Sequence, residues 1–79
     1  MLAYKLIAVA GAIRRYVFYI EDDVRRNGIV ELNTESGRAE YIGDVRDFSH
    51  VRYASKLIGS LEDQAKEGFV ADSGTVMWY

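Results

Sequence analysis

Five short apolar segments of the chain are rich in β-branched and aromatic residues, and glycines or small polar residues separate them. Segments of this kind are typical of β-strands, because such side chains fit a pleated surface. The pattern predicts strands over residues 2–10, 14–22, 28–33, 38–43 and 75–79. The predicted turns contain Gly11, Gly28, Gly37 and Gly74.

The first dozen residues also admit a helix, since Leu, Ala and Lys favour helices. Tyr4, Ile7, Val9 and the interruption at Gly11 favour a strand. We therefore expect a strand, with a helix as the alternative.

Between residues 49 and 67 the apolar positions recur every three or four residues, which predicts an amphipathic helix. Ser49 suits the N-cap, because its hydroxyl can accept an orphan backbone N–H. Gly68 suits the left-handed residue that ends a helix, with Phe69 as its apolar companion. The apolar stripe comprises Val51, Ala54, Ile58, Leu61 and Ala65. The opposite face, expected to be solvated, comprises Arg52, Lys56, Glu62, Asp63 and Lys66.

The predicted hairpin loops set which residues share a face of the sheet. The pairs at the loop ends are Ala10 with Arg14, Asp22 with Gly28, and Asn33 with Arg38. One face then becomes nearly all apolar and must take the helix. It comprises Tyr4, Leu6, Ala8, Phe18, Ile20, Val30, Leu32, Ala39 and Tyr41. We predict a single α+β domain over residues 1–79, an antiparallel meander sheet of order 4-3-2-1-5 with one helix on one face.

The second face of that sheet has no helix to cover it. Exposed apolar patches with polar rims usually mark contact sites, although antiparallel sheets also leave one face in water. Three acidic residues on this face favour a solvent-exposed surface, namely Glu21, Glu31 and Glu40. An aromatic edge strand instead favours contact with a protein or a second copy. The candidate interface residues are Ile7, Val9, Val17, Tyr19, Ile29, Ile42, Met77, Trp78 and Tyr79.

Composition narrows the function classes. The chain has 79 residues, no cysteine, 49% hydrophobic residues and a net charge of −2. Missing cysteines exclude disulfides and zinc–thiolate sites, and the charge argues against nucleic acid and anionic membranes. The longest apolar stretch, residues 6–13, is too short to span a bilayer. We expect a cytoplasmic protein without a metal or cofactor.

Two chemical alternatives remain. Asp47 lies three residues before His50, so its carboxylate could orient the imidazole for acid–base catalysis, but a helix cap with a surface histidine is the favoured interpretation. The pairs Arg14/Arg15 and Arg25/Arg26 flank an aromatic strand that could bind nucleic acid. Their separation at opposite strand ends, about 25–30 Å, disfavours this.

The leading hypothesis is a non-enzymatic protein–protein interaction domain. It would be a homodimer, or a small adaptor or inhibitor of a larger protein, and it would use the uncovered face or the C-terminal edge.

Overall fold

The computed structural model describes residues 1–21 and 23–77, which form five strands and one helix. The elements are β1 (Leu2–Ala10), β2 (Ile13–Ile20), β3 (Asp23–Asn33), β4 (Arg38–Ile42), α1 (Phe48–Lys66) and β5 (Ser73–Val76). The strands form one antiparallel sheet in the order β4-β3-β2-β1-β5. The predicted α+β class, the strand order and the strand in the first dozen residues are confirmed. No helix in the described part of the chain is both long and apolar enough to cross a membrane.

The main core lies between α1 and one face of the sheet. Alternate residues of the inner strands are buried there, as expected for a sheet with one covered face. Burying each large side chain contributes roughly 1.5–3 kcal/mol. The core comprises Leu2, Tyr4, Tyr16, Phe18, Ile20, Val30, Leu32, Ala54, Leu57 and Leu61.

The helix packs through a stripe centred on Leu57, which is fully buried. The predicted stripe omits Leu57 and includes Ile58, which is only half-buried, so the packed face is rotated slightly from the prediction. Glu62, predicted to be solvated, is half-buried and accepts a hydrogen bond from the backbone N–H of Ala39 at 2.9 Å.

Both ends of α1 are capped. Asp47, not the predicted Ser49, is the N-cap, and its Oδ1 accepts the backbone N–H of His50 at 3.2 Å. Ser49 lies inside the first turn, where its hydroxyl accepts a hydrogen bond from Arg26 at 2.9 Å. Asp47 precedes Ser49 and places its carboxylate at the positive end of the helix dipole, which favours the earlier start.

The C-terminal cap agrees with the prediction in its backbone. Gly68 has a φ of 84°, and its N–H donates to the carbonyl of Ala65 at 3.2 Å. The N–H of Phe69 donates to the carbonyl of Gln64, which completes a Schellman motif. The side chain of Phe69 is exposed and is not among the residues packed against the core.

The register differs from the prediction in β1 because of a bulge. Leu6 pairs with Tyr16, but Ala8 pairs with Arg15, so one extra residue lies between them. Opposed residues share a face, so the bulge turns Ala8 away from the helix and puts Val9, opposite Arg14, on the helix side. The predicted faces of Ala8 and Val9 are therefore wrong.

The predicted pairings around the first two loops are also wrong. Ala10 pairs with Ile13, and Phe18 takes the place opposite Gly28. Up to the β1 bulge, each of these two strand pairings is displaced from the predicted pairing by an even number of residues. An even displacement leaves every side chain on its predicted face. The predicted pair of Asn33 with Arg38 is confirmed.

Residues 24–26, predicted to be a loop, form a large bulge within β3. Tyr19 pairs with Asn27, whereas the next residue, Ile20, pairs with Asp23. The carboxylate of Asp23 accepts the N–H of Arg25 at 3.0 Å, and the Asn27 amide donates to a backbone carbonyl in the bulge. These local bonds satisfy backbone groups that the ladder leaves free.

Candidate functional site

We call the side of the sheet opposite α1 the open face, because no helix or strand of the described residues lies on it. The strand register arranges its side chains in rows that run across the sheet. One row comprises Lys5, Val17, Ile29 and Ile42. The adjacent row comprises Ala8, Arg15, Glu31 and Glu40.

The apolar row is partly shielded. Val17 is only 8% exposed although it is not part of the main core, so its cover must come from neighbouring side chains on the open face. Ile29 and Tyr19 are half-buried, and Ile42 is 42% exposed. The apolar side chains of the open face therefore shield one another in part, although no helix or strand of the described residues covers them.

The charged side chains of the open face are only partly paired. The guanidinium of Arg15 bonds to the carboxylate of Glu31 at 2.7 Å, in a pair exposed enough to contribute about 1 kcal/mol or less. The side chains of Lys5 and Glu40 have no ion-pair partner in residues 1–21 and 23–77.

Two shallow depressions adjoin the charged row. A groove of about 420 Å³ is lined by Glu31, Arg38, Glu40 and Ile13, among others. A smaller depression of about 130 Å³ has Ala8 in its lining. Both are open hollows on the surface and suit the side chains of a partner better than an enclosed ligand.

The candidate interface residues outside the central rows have separate positions. Ile7 lies at the β1 bulge and is 48% exposed. Val9 is exposed on the helix side of the sheet, so it leaves the predicted patch. Met77 follows β5 and is exposed, whereas Trp78 and Tyr79 lie outside the described residues.

One N–H on the outer edge of β4 is occupied by a contact that the sequence pattern does not predict. The Glu62 carboxylate accepts the N–H of Ala39 and pairs with the guanidinium of Arg38 at 3.4 Å. An edge N–H that is already bonded is closed to pairing with another strand. The sequence gives no signal for this contact, because it depends on how the helix crosses the sheet.

His50 and Asp47 come together at the start of α1. Nδ1 of His50 lies 2.7 Å from Oδ2 of Asp47, although the contact is not aligned as a hydrogen bond and Nδ1 has no other partner among the described residues. The imidazole lies beside the Phe18 ring, with centroids 6.5 Å apart. Neither of the two depressions, nor a third cleft near Gly68, is lined by His50. The geometry is that of a cap packed on the edge of the core.

Tyrosine and carboxylate groups near this cap have shifted pKa values. Burial raises the pKa of Tyr41, and the carboxylates of Asp47 and Asp44 raise it further. The Arg46 guanidinium, by its hydrogen bond, lowers the pKa of Asp44. Neither change creates a group poised for proton transfer near neutral pH.

The four candidate nucleic-acid arginines all have partners within the chain. Arg14 bonds to the hydroxyl of Tyr16 at 2.9 Å and pairs with Asp72, and Arg15 pairs with Glu31. Arg25 pairs with Asp23 at 3.3 Å, and Arg26 bonds to Ser49.

The aromatic strand between these pairs is mostly core. Tyr16 and Phe18 are fully buried, and burial raises the pKa of Tyr16. Only Tyr19 reaches the open face, so the strand does not form a platform on which successive bases could stack.

No three His, Asp or Glu side chains in the described ranges lie close enough together to hold a metal ion. No protein-family model matches the chain, and neither the curated proteins nor the solved structures contain a match.

Proposed function

We propose that this protein is a non-enzymatic protein–protein interaction domain that docks through its open face. The observation that carries the proposal is the apolar row of Val17, Ile29 and Ile42, which has charged neighbours and no covering element among the described residues. Apolar centres with charged rims are the usual composition of docking surfaces. The partner is a second copy or another protein, for which the domain acts as an adaptor or inhibitor.

The alternatives have less support. An enzyme that uses His50 needs a cleft beside the imidazole, and the two depressions and the cleft near Gly68 lie elsewhere. A nucleic-acid binder needs unpaired arginines beside exposed aromatic rings, whereas these arginines bond to neighbouring side chains. The open face also carries Glu31 and Glu40, which repel phosphate.

Photo-crosslinking tests the proposal directly. Tyr19 lies on the open face near the end of β2, so Tyr19→benzoylphenylalanine extends an existing aromatic side chain into a photoreactive benzophenone at that position. The matched control places the same group at Asp63, which is exposed on α1. The labelled protein is irradiated alone at high concentration and in extract of the cells that express it.

We expect covalent protein adducts from position 19 and few from position 63. A second substitution on the open face, Ile29→Asp, should abolish the adducts, because it puts a charge in the apolar row. Equal yields at the two positions, or adducts that survive Ile29→Asp in a folded protein, would refute the proposal.

A further inference from the structure

The charges of the open face are divided between its two halves. Lys5 and Arg15 lie on β1 and β2, whereas Glu31 and Glu40 lie on β3 and β4. The guanidinium of Arg38, also on β4, pairs with a carboxylate of α1 at the sheet edge. Arg15 and Glu31 pair with each other, so the charges of these two rows that have no ion-pair partner among the described residues are Lys5 and Glu40, on either side of the β2–β3 pair. A surface divided in this way is complementary to a copy of itself after a two-fold rotation.

A two-fold axis parallel to the strands, between β2 and β3, brings the two halves into register. This rotation places β2 over β3 of the other copy and β1 over β4. Each residue then faces a residue of the same row in the other copy. Val17 then faces the partner's Ile29, and Lys5 faces the partner's Ile42. The partner's Glu40 lies two residues farther along β4, about 7 Å away, which a lysine side chain can span.

We infer that the occupant of the open face is a second copy of this chain, held in this two-fold arrangement by reciprocal Lys5–Glu40 ion pairs around the apolar rows. The inference rests on the proposed function, because it names the partner of the same face.

The size of the face limits the area that a dimer can bury. The open-face residues of β2, which are Ile13, Arg15, Val17 and Tyr19, mark four rows about 6.7 Å apart, and with four strands about 4.8 Å apart they cover at most about 500 Å² on each copy. The total of about 1,000 Å² is at the lower limit for a specific interface. Self-association is therefore weak and concentration-dependent, and it must be measured up to high micromolar concentrations.

Sedimentation equilibrium with charge-reversed variants tests the arrangement. Lys5→Glu and Glu40→Lys each put like charges together at both symmetric contacts, and each should weaken dimerisation about 5- to 30-fold. An equimolar mixture of the two variants restores opposite charges at every contact. The mixture and the double variant should both recover dimerisation to within about threefold of the original protein.

Two control variants separate local pairing from net charge. Lys66→Glu and Asp63→Lys make the same changes in net charge on the exposed surface of α1, and both should leave dimerisation within about twofold. Circular dichroism confirms that each variant is folded, as expected for substitutions of exposed side chains.

A protein that remains monomeric at high micromolar concentration would overturn the inference, and so would a mixture that associates no better than the single variants. If adducts from position 19 then contain only a different protein, the proposed function stands and the second copy is excluded. If position 19 gives no adducts, both proposals fall.

Discussion

Gly28 is a position where the packing between helix and sheet leaves no room for a side chain. It lies directly opposite Phe18, and a Cβ placed on Gly28 would come 2.5 Å from Cζ of the Phe18 ring and 2.7 Å from Cε1. Carbon atoms pack best at about 3.5–4.0 Å, so the Gly28→Ala substitution requires a shift of about 1 Å. The ring is fully buried beside Tyr41 and His50, which restricts its movement.

The expected cost follows from this overlap. Overpacking a core costs about 1–3 kcal/mol, and the lower chain entropy of alanine in the unfolded state offsets about 0.4–1 kcal/mol. We expect a net loss of roughly 1–2 kcal/mol, which lowers Tm by about 5–15 °C in a domain of this size.

Gly59→Ala is the matched control. Gly59 lies inside α1 and is exposed, and no atom outside its own helix lies within 4 Å of the place that a methyl group would take. Alanine favours the helix there, so we expect a gain of about 0.5–1 kcal/mol. Urea unfolding followed by circular dichroism measures both variants, and the slopes with denaturant should match. A Gly28→Ala variant as stable as the original protein would refute the account of the packing at Phe18.

Three further predictions concern the core, the β4 edge and pH. Leu57→Ala should cost about 2–5 kcal/mol in urea unfolding and Ile42→Ala less than about 1.5 kcal/mol in the monomer, because only Leu57 is buried under the helix; equal costs would contradict a one-sided core. Glu62→Ala should cost about 1 kcal/mol by leaving the edge N–H of Ala39 unbonded, whereas Glu62→Gln keeps an acceptor and should cost less, a difference that unfolding curves would show. Burial raises the pKa of Tyr16 above its ordinary value of 10.0. The contribution of the neutral Tyr16 side chain to the unfolding free energy is therefore complete below that pH and is lost as pH rises through the folded-state pKa. Unfolding free energy should therefore fall above about pH 10, and Tyr16→Phe should flatten this decline; an unchanged decline would show that other groups cause it.

The sequence predicts the layout of this fold because local signals agree with it. Gly37 has a φ of 74° in the turn where the pattern requires a glycine, and the pairing of Asn33 with Arg38 follows from that turn. The turn before β3 is different: Glu21 adopts a φ of 53° although it is not glycine, and no sequence pattern indicates that. The predicted turn therefore lies several residues too late.

The candidate site is predicted in outline for the same reason. The two-residue periodicity of strands puts Val17, Ile29 and Ile42 on one face. This holds although the observed strand pairing is displaced from the prediction, because the displacement there is an even number of residues. The β1 bulge inserts a single residue without a glycine to mark it, which misplaces Val9. The contact between Glu62 and the β4 edge depends on the crossing of the helix over the sheet, which periodicity does not specify.

Solution accessibility of the open face is the most direct test of the account. The methyl groups of Ile29 and Ile42 are observed by nuclear magnetic resonance with a soluble paramagnetic agent at low and high protein concentration. We expect strong broadening of both signals at low concentration and protection at high concentration, while exposed Val45, which lies in the loop before α1, stays broadened throughout. Equal broadening of Ile29 and Ile42 at every concentration, with no partner added, would contradict a face covered by a second copy.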